Sequence, residues 1–293
     1  MNYKKWLAEN TSSLEGKTVA ISGSTGGLGR ELCFYLCALR ANLTLIDRNP
    51  ARQEALSGEL LQSFPDCKIK RHVLDLEDTE AAAMVAEKLC AEEIDYLILN
   101  AGAYKIPRKK CKNGYENAFN INFVSPYILA TKLLPKISAR GGKVVAVGSV
   151  AHNYSKTDER DVDFSTRKAP SKIYGNAKRY LMFSFWGLDE YRKSVCVTHP
   201  GIAVTNITSH YPKVIYAIIK YPMKLIFMPP RKASLSILKG LFEDAEKNEW
   251  IGPRYFGVWG LPKKREIKTC SEEEAQRICK TAKEILNNEQ IFR

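Results

Sequence analysis

With 293 residues, 45% of them hydrophobic and 26% charged, the chain can bury a sizeable core, and its composition excludes a disordered or fibrous protein. The formal charge of +13 sits largely in two clusters, Lys105, Arg108, Lys109, Lys110 and Lys112, and Lys263, Lys264, Arg265 and Lys268. Neither has aromatic interleaving or a nucleic-acid module around it, so they read as solvated loops and no nucleic-acid partner is expected.

Residues 1–16 lack an apolar stretch of signal-peptide length and read as an N-terminal extension, with Trp6 and Leu7 docking on the domain as extra helix. From Lys17 onward the periodicity alternates between strand and helix. Short apolar runs fall at Thr18–Ser22, Asn42–Ile46, Ile69–Leu74, Tyr96–Leu99, Lys143–Val147 and Val195–Thr198. Amphipathic stretches lie between them at Gly29–Leu39, Arg52–Phe64, Glu80–Glu92, Tyr115–Ser138 and Ser171–Arg192. Strands alternating with helices imply right-handed βαβ crossovers, hence one α/β domain of Rossmann type: a doubly wound parallel sheet with helices on both faces. Its expected bounds are 17–262, followed by a helical tail over 263–293.

In such a sheet, ligands bind beyond the carboxyl ends of the strands. After the first strand come Gly23, Ser24, Thr25, Gly26, Gly27, Leu28 and Gly29, then a helix. Glycines there permit a tight turn and a close backbone approach to a pyrophosphate, and the helix start offers free N–H groups and a positive dipole end. Asp47 closes the second strand, where a carboxylate accepts ribose hydroxyls and repels a 2′-phosphate, while a guanidinium at Arg48 pulls the other way. The carboxylate makes NAD(H) the expected cofactor over NADP(H). Asp75 and Leu76 end the third strand, and Asn100, Ala101 and Gly102 end the fourth with small residues on which a flat ligand can lie.

Ser149 follows the fifth strand, and Tyr174 and Lys178 stand at i, i+4 on the next helix. That spacing puts phenol and ammonium on one face, about 5–6 Å apart at Cβ. A nearby ammonium favours phenolate, so the tyrosine pKa should fall toward working pH.

Together these elements resemble the short-chain dehydrogenase/reductase family over about Leu14 to Leu261. The glycine motif (with Ser22 in place of threonine), Asp75, Asn100 to Gly102, the helix asparagine Asn122, Ser149, Tyr174 with Lys178, and Pro200-Gly201 followed by Thr205 occur in the family's order. Lys112 to Glu116, Ser149 to His152 and the wide spacing from Ser149 to Tyr174 are similar to the retinol-dehydrogenase-like and hydroxysteroid-dehydrogenase-like branch. The resemblance implies an alcohol dehydrogenase or carbonyl reductase. Tyr174 would exchange the proton, Ser149 would hold the same oxygen, Lys178 would hold the nicotinamide ribose, and Asn122 would position a water linking the lysine to solvent. It also implies that Tyr174, Lys178, Pro200, Gly201 and Thr205 touch the cofactor.

Residues 202–229 then correspond to a substrate lid, whose apolar side chains suit a bulky alcohol or ketone such as a hydroxysteroid, bile acid or retinoid. Ser149, Ala151, His152, Tyr174, Ile202 and Ile207 are the expected pocket lining. Alternatives that use the same residues are reduction of acyl, polyketide or small xenobiotic carbonyls; a different class is a dinucleotide-binding regulator without turnover. Lys220, Pro222 and Lys224 interrupt the apolar run Val214 to Met228, so a membrane span is not expected; contact of this run with a membrane surface is the minor reading. Eight scattered cysteines without C-x-x-C read as reduced thiols of a cytoplasmic protein, and His72, His152, His199 and His210 show no metal-ligand spacing. Relatives pair through helices like Tyr115–Ser138 and Ser171–Arg192, which implies a homodimer or homotetramer.

Overall fold

A computed structural model describes residues 3–202 and 227–288. The strands are β1 (Thr18–Ser22), β2 (Asn42–Asp47), β3 (Ile69–Val73), β4 (Tyr96–Leu99), β5 (Lys143–Val147), β6 (Val195–Thr198), β7 (Glu249–Tyr255) and β8 (Trp259–Glu266). They form one sheet in the order β3-β2-β1-β4-β5-β6-β7-β8, parallel throughout except for β8, which runs antiparallel to β7. The helices are α1 (Tyr3–Asn10), α2 (Gly27–Ala38), α3 (Pro50–Ser63), α4 (Thr79–Cys90), α5 (Asn117–Phe119), α6 (Ser125–Ala139), α7 (Pro170–Ser184), α8 (Pro230–Lys239) and α9 (Glu272–Asn288).

The two-residue period of each strand divides the core. Val19 and Ile21 face one side with Leu32, Leu36 and Leu235, whereas Ala20 faces the other with Phe119, Phe123 and Tyr180. The strand order reverses between β1 and β4, and the crevice there opens at the carboxyl ends.

Four expected strands have the observed bounds, and the departures have local causes. The expected helix Tyr115–Ser138 is interrupted by a π-helical turn over Asn120–Val124 before α6. Ser125 N–H donates to Asn120 O, five residues back, and Pro126 has no N–H to give to the carbonyl of Asn122. The expected helix Ser171–Arg192 ends at Ser184 and continues as 3-10 turns; at Gly187 a Cβ would lie 2.3 Å from Cys279 Sγ, because α9 crosses there. Strands β7 and β8 are additional to the expectation, since Gly252, Pro253 and Pro262 interrupt their patterns. The boundary drawn at residue 263 therefore falls inside β8, and the helical tail begins only at Glu272.

Lys263, Lys264 and Arg265 lie on β8, an outermost strand, where charge discourages edge pairing with another chain. Lys264 lies 3.7 Å from Glu249, and in the other cluster Lys109 pairs with Glu77 while Arg108 donates to Ser165 O and Arg167 O. Members of both clusters are thus engaged locally. In the extension Trp6 and Leu14 are buried against the α2 side of the sheet, as expected for Trp6. All eight cysteines are free thiols, with Cys37 and Cys67 in Sγ···Sγ contact at 3.2 Å. Among the described residues no helix is long and apolar enough to cross a membrane.

Candidate active site

The turn after β1 is built by close approach. Gly23 has φ +69°, and a Cβ there would meet Ala101 Cα at 2.8 Å. Asn100 Nδ2 donates to Ser22 O and Gly23 O, and Ala101 N donates to Ser22 Oγ, so the ends of β1 and β4 are laced together. At Gly29 a Cβ would lie 2.1 Å from Gly23 O, so the first turn of α2 sits directly on the loop. The leading N–H groups of α2 have no carbonyl partner within the helix and face the crevice.

That crevice is a cleft of about 640 Å³. Gly23, Thr25, Gly26, Gly27, Leu28, Asp47, Arg48, Asp75, Leu76, Asn100, Ala101 and Gly102 all line it, as their sequence positions predict. Ser24 and Gly29 do not: Ser24 is fully buried and Gly29 supports the loop from beneath. Asp47 folds back onto the loop, its carboxylate accepting from Ser24 Oγ, from Thr25 N at 3.2 Å and from Thr25 Oγ1 at 3.0 Å. Burial pushes this carboxyl above its usual range, against the pull of those hydrogen bonds. Arg52 and Lys109 line the same cleft and were not expected from the sequence. Arg52 was detectable in principle: Asn49 caps α3 through Arg52 N, which fixes Arg52 in the first turn beside the end of β2. The cleft fits a dinucleotide. Glycine backbone and a helix start meet one end, a flat wall of Asn100 to Gly102 forms another side, and Asn100 Oδ1 is a buried acceptor without a donor among the described residues.

Beyond Gly102 lie the chemically reactive side chains. Ser149 leaves β5 as the cap of a 3-10 turn over Val150–Tyr154, with its Oγ accepting from Ala151 N at 3.2 Å. Tyr174 sits near the start of α7, with its phenol facing the Ser149 side chain. One turn on, Lys178 is buried, donates to Val147 O at 2.9 Å, and lies 5.8 Å from the Tyr174 ring centroid. A Cβ on Gly102 would stand 3.4 Å from Lys178 Nζ and 2.8 Å from Asn122 Oδ1, so lysine and asparagine both back the cleft wall.

One expectation is corrected by this geometry. Burial pushes the Tyr174 phenol up to about 12, with the neighbouring Ser149 side chain opposing it, rather than down toward neutrality. Lys178 does not counter this, because its ammonium is directed at Val147 O and burial lowers its own pKa to about 8. The Asn122 side chain has both N–H groups engaged, to Ala103 O and Ala118 O at 2.8 Å each, while Oδ1 accepts from Ala103 N at 3.1 Å. It staples the turn that carries Gly102.

Among the expected pocket residues, Ala151 and His152 are turned inward. Ala151 O would lie 2.3 Å from a Cβ on Gly175, and His152, 1% exposed, bonds Ser149 O and Thr269 Oγ1 between the rings of Phe183 and Trp250. The ring that does meet Tyr174 is Tyr104, edge-on at 5.3 Å, just beyond Asn100 to Gly102 and missed because a loop tyrosine carries no periodic signal. Pro200 and Gly201, like Ser149, Tyr174 and Lys178, are not part of the cleft lining itself; Gly201, at φ +82°, packs against Val258 and Met228. Ile202 is half-buried, whereas Thr205, Ile207 and the lid from residue 203 to 226 lie outside the described residues. His199 is structural, as expected: it stacks on Trp250 and donates to Gly257 O, and burial lowers it to about 4.

A family model for short chain dehydrogenases matches residues 17–159. The chain is 28% identical to retinol dehydrogenase 14 of Mus musculus over 281 residues, 89% of this chain and 80% of that protein. Retinol dehydrogenase 12 of Mus musculus is also 28% identical, over 202 residues, 67% of this chain and just under two thirds (64%) of that relative's length. Among solved structures, a short-chain dehydrogenase from Sphingobium yanoikuyae in complex with NADPH superposes with a TM-score of 0.60 at 24% identity, covering 76% of this chain and 83% of that one. The parallel sheet, the glycine-lined cleft and these likenesses agree: this chain is an oxidoreductase of alcohols and carbonyls that resembles the short-chain dehydrogenase/reductase family and, within it, the retinol-dehydrogenase-like branch.

Proposed function

We propose that this enzyme interconverts a bulky hydrophobic alcohol and its carbonyl, with Tyr174 moving the proton at oxygen. The observation that carries the reading is the juxtaposition of Ser149, Tyr174 and a buried Lys178 just behind Gly102 of the dinucleotide cleft. When bound, a nicotinamide dinucleotide supplies or accepts the hydride. Binding it falls to the loop Gly23 to Gly29, Asp47, Arg48, Asp75 and the wall Asn100 to Gly102, with Lys178 reaching the nicotinamide end. The remaining steps belong to side chains. Ser149 and Tyr174 orient the substrate oxygen; in reduction the phenol gives it a proton, and in oxidation the phenolate takes one. Substrate bulk rests on the relatives named for retinol, a long apolar alcohol, and on the apolar ring of Tyr104 over Tyr174. The deciding experiment is a screen of retinaldehyde, ketosteroids and small aryl ketones with NADPH and NADH. Preferred turnover of small ketones would reject the bulky-substrate reading.

Cofactor choice is a contest within one cleft. Asp47 opposes a 2′-phosphate, while Arg48 and Arg52 attract it and Lys109 is already paired with Glu77. Since Asp47 is tied to Ser24 and Thr25, its exclusion of the phosphate is blunted, and the NADPH held by the structural neighbour supports use of either form. Asp47→Ala is expected to shift the KM ratio toward NADP(H) by about tenfold, and Arg48→Ala to shift it the other way. Equal KM changes for both cofactors in either variant would count against the contest.

The pKa directions also set a pH profile. Carbonyl reduction needs the phenol and the ammonium protonated. The phenol, at about 12, keeps its proton, whereas the ammonium loses its own above about 8. Initial reduction rates at saturating cofactor should therefore be level through neutrality and fall on the alkaline side of about pH 8. A rate that climbs with pH across neutrality is the opposite sign.

A further inference from the structure

His152 sits three residues after Ser149, and both its ring nitrogens are engaged. Nδ1 is 2.6 Å from Ser149 O, a carbonyl that can only accept, so Nδ1 carries the proton. Nε2 is 2.7 Å from Thr269 Oγ1, and burial keeps the ring neutral, so the threonine hydroxyl donates to it. Thr269 is held in turn by Arg179, which donates to Thr269 O at 2.5 Å and to His152 O at 3.2 Å. The same guanidinium grips Glu274, at the start of α9, with Nε to Oε1 at 2.7 Å and a second nitrogen to Oε2 at 2.6 Å. Arg179 is 2% exposed, so this forked pair is dry and directional. Backbone and side chain thus form a continuous path from α9, through Thr269 and His152, to the carbonyl of Ser149.

Hydrogen bonds of this geometry fix the peptide plane that carries the Ser149 side chain. Substrate orientation tolerates little error: a misplacement of about 1 Å can cost roughly a hundredfold in rate. We propose that His152 and Thr269 are positioning residues, through which docking of the C-terminal segment sets the orientation of Ser149. The proposal rests on the reading of Ser149 as the hydroxyl that holds the substrate oxygen. It assigns the segment after β8 a part in the reaction without contact to substrate or cofactor.

Thr269→Val removes the hydroxyl at nearly constant shape, and Thr269→Ser retains it. Three readouts are taken on the full chain: amide hydrogen exchange in peptides covering 149–154, kcat for retinaldehyde reduction, and NADPH affinity. The expected result for Thr269→Val is faster exchange at 149–154 and a kcat about tenfold lower, with NADPH affinity unchanged within about twofold; Thr269→Ser restores both exchange and kcat. Unchanged exchange at 149–154 overturns the proposal by itself, and needs no turnover to be read. So does a kcat loss that serine fails to restore, or one matched by weaker NADPH binding, which marks a merely structural role. Ser149→Ala run in parallel separates the two readings. If it abolishes turnover while Thr269→Val does not reduce it, the positioning path fails and the site reading stands; if Ser149→Ala turns over normally, both fall.

Discussion

Tyr174→Phe should lose turnover by about a hundred- to ten-thousand-fold while binding NADPH as the unsubstituted enzyme does. The substitution deletes one oxygen from a partly buried ring. Packing against Tyr104 is retained, since that contact is an edge-to-face one between the rings, whose centroids are 5.3 Å apart. What disappears is the hydroxyl that meets Ser149 and, in the proposed reaction, the proton that neutralises the developing alkoxide. Removing a positioned acid removes stabilisation made only in the transition state, so kcat and kcat/KM should fall together with little change in KM. Isothermal titration with NADPH and steady-state rates on the same preparation measure both halves. Turnover within about threefold of normal would take Tyr174 out of the reaction. A large loss in NADPH affinity would instead give the phenol a role in holding the cofactor.

The phenol holds its proton more tightly than the spacing alone indicates. The i, i+4 placement of Lys178 predicts a depressed tyrosine pKa, but spacing on a helix says nothing of where the ammonium points. Lys178 reaches across to Val147 O, and the desolvation that surrounds the pair raises the phenol and lowers the ammonium together. Burial is a tertiary property and leaves no local signature in a pentapeptide.

The same distinction governs how much else could be read from the chain. Most of the first six strands were legible because a strand buried on both faces writes an unbroken β-branched run, as in Lys143–Val147. The dinucleotide cleft was legible because its residues follow strands, and position after a strand is set by the fold. Strands β7 and β8 were not, since an edge hairpin tolerates Pro253, Pro262 and consecutive cations that a central strand would reject. His152 looked like a pocket residue for its closeness to Ser149 in sequence. The 3-10 turn carries its ring away from the cleft, toward Trp250 and Thr269. Asn122 lies at the expected site, where its amide nitrogen donates to Ala103 O.

Gly29→Ala is the substitution expected to cost most at the other end of the cleft. A methyl group there would stand 2.1 Å from Gly23 O, 2.8 Å from Ser24 Cα and 2.9 Å from Gly23 C, all backbone atoms. None can yield as a flexible side chain would, so the loop must lift from α2 or the helix must retreat. Either movement displaces Gly23, whose φ of +69° and contact with Ala101 are themselves demanding, and it pulls Ser24 and Thr25 away from Asp47. Alanine is otherwise the better helix former, by about 1 kcal/mol, and the rest of α2 is buried against Leu43 and Leu235, so the helix should persist. The expected outcome is a folded protein that binds NADPH at least about a hundredfold more weakly, equivalent to about 2.7 kcal/mol of lost interaction. Circular dichroism establishes the fold, and titration calorimetry reads the affinity. Retention of normal affinity would mean that the cofactor phosphates do not rest on this loop. A control at Gly58 on α3, where an added Cβ meets nothing within 4 Å, should leave affinity unchanged, which ties the loss to the contact rather than to the loss of a glycine.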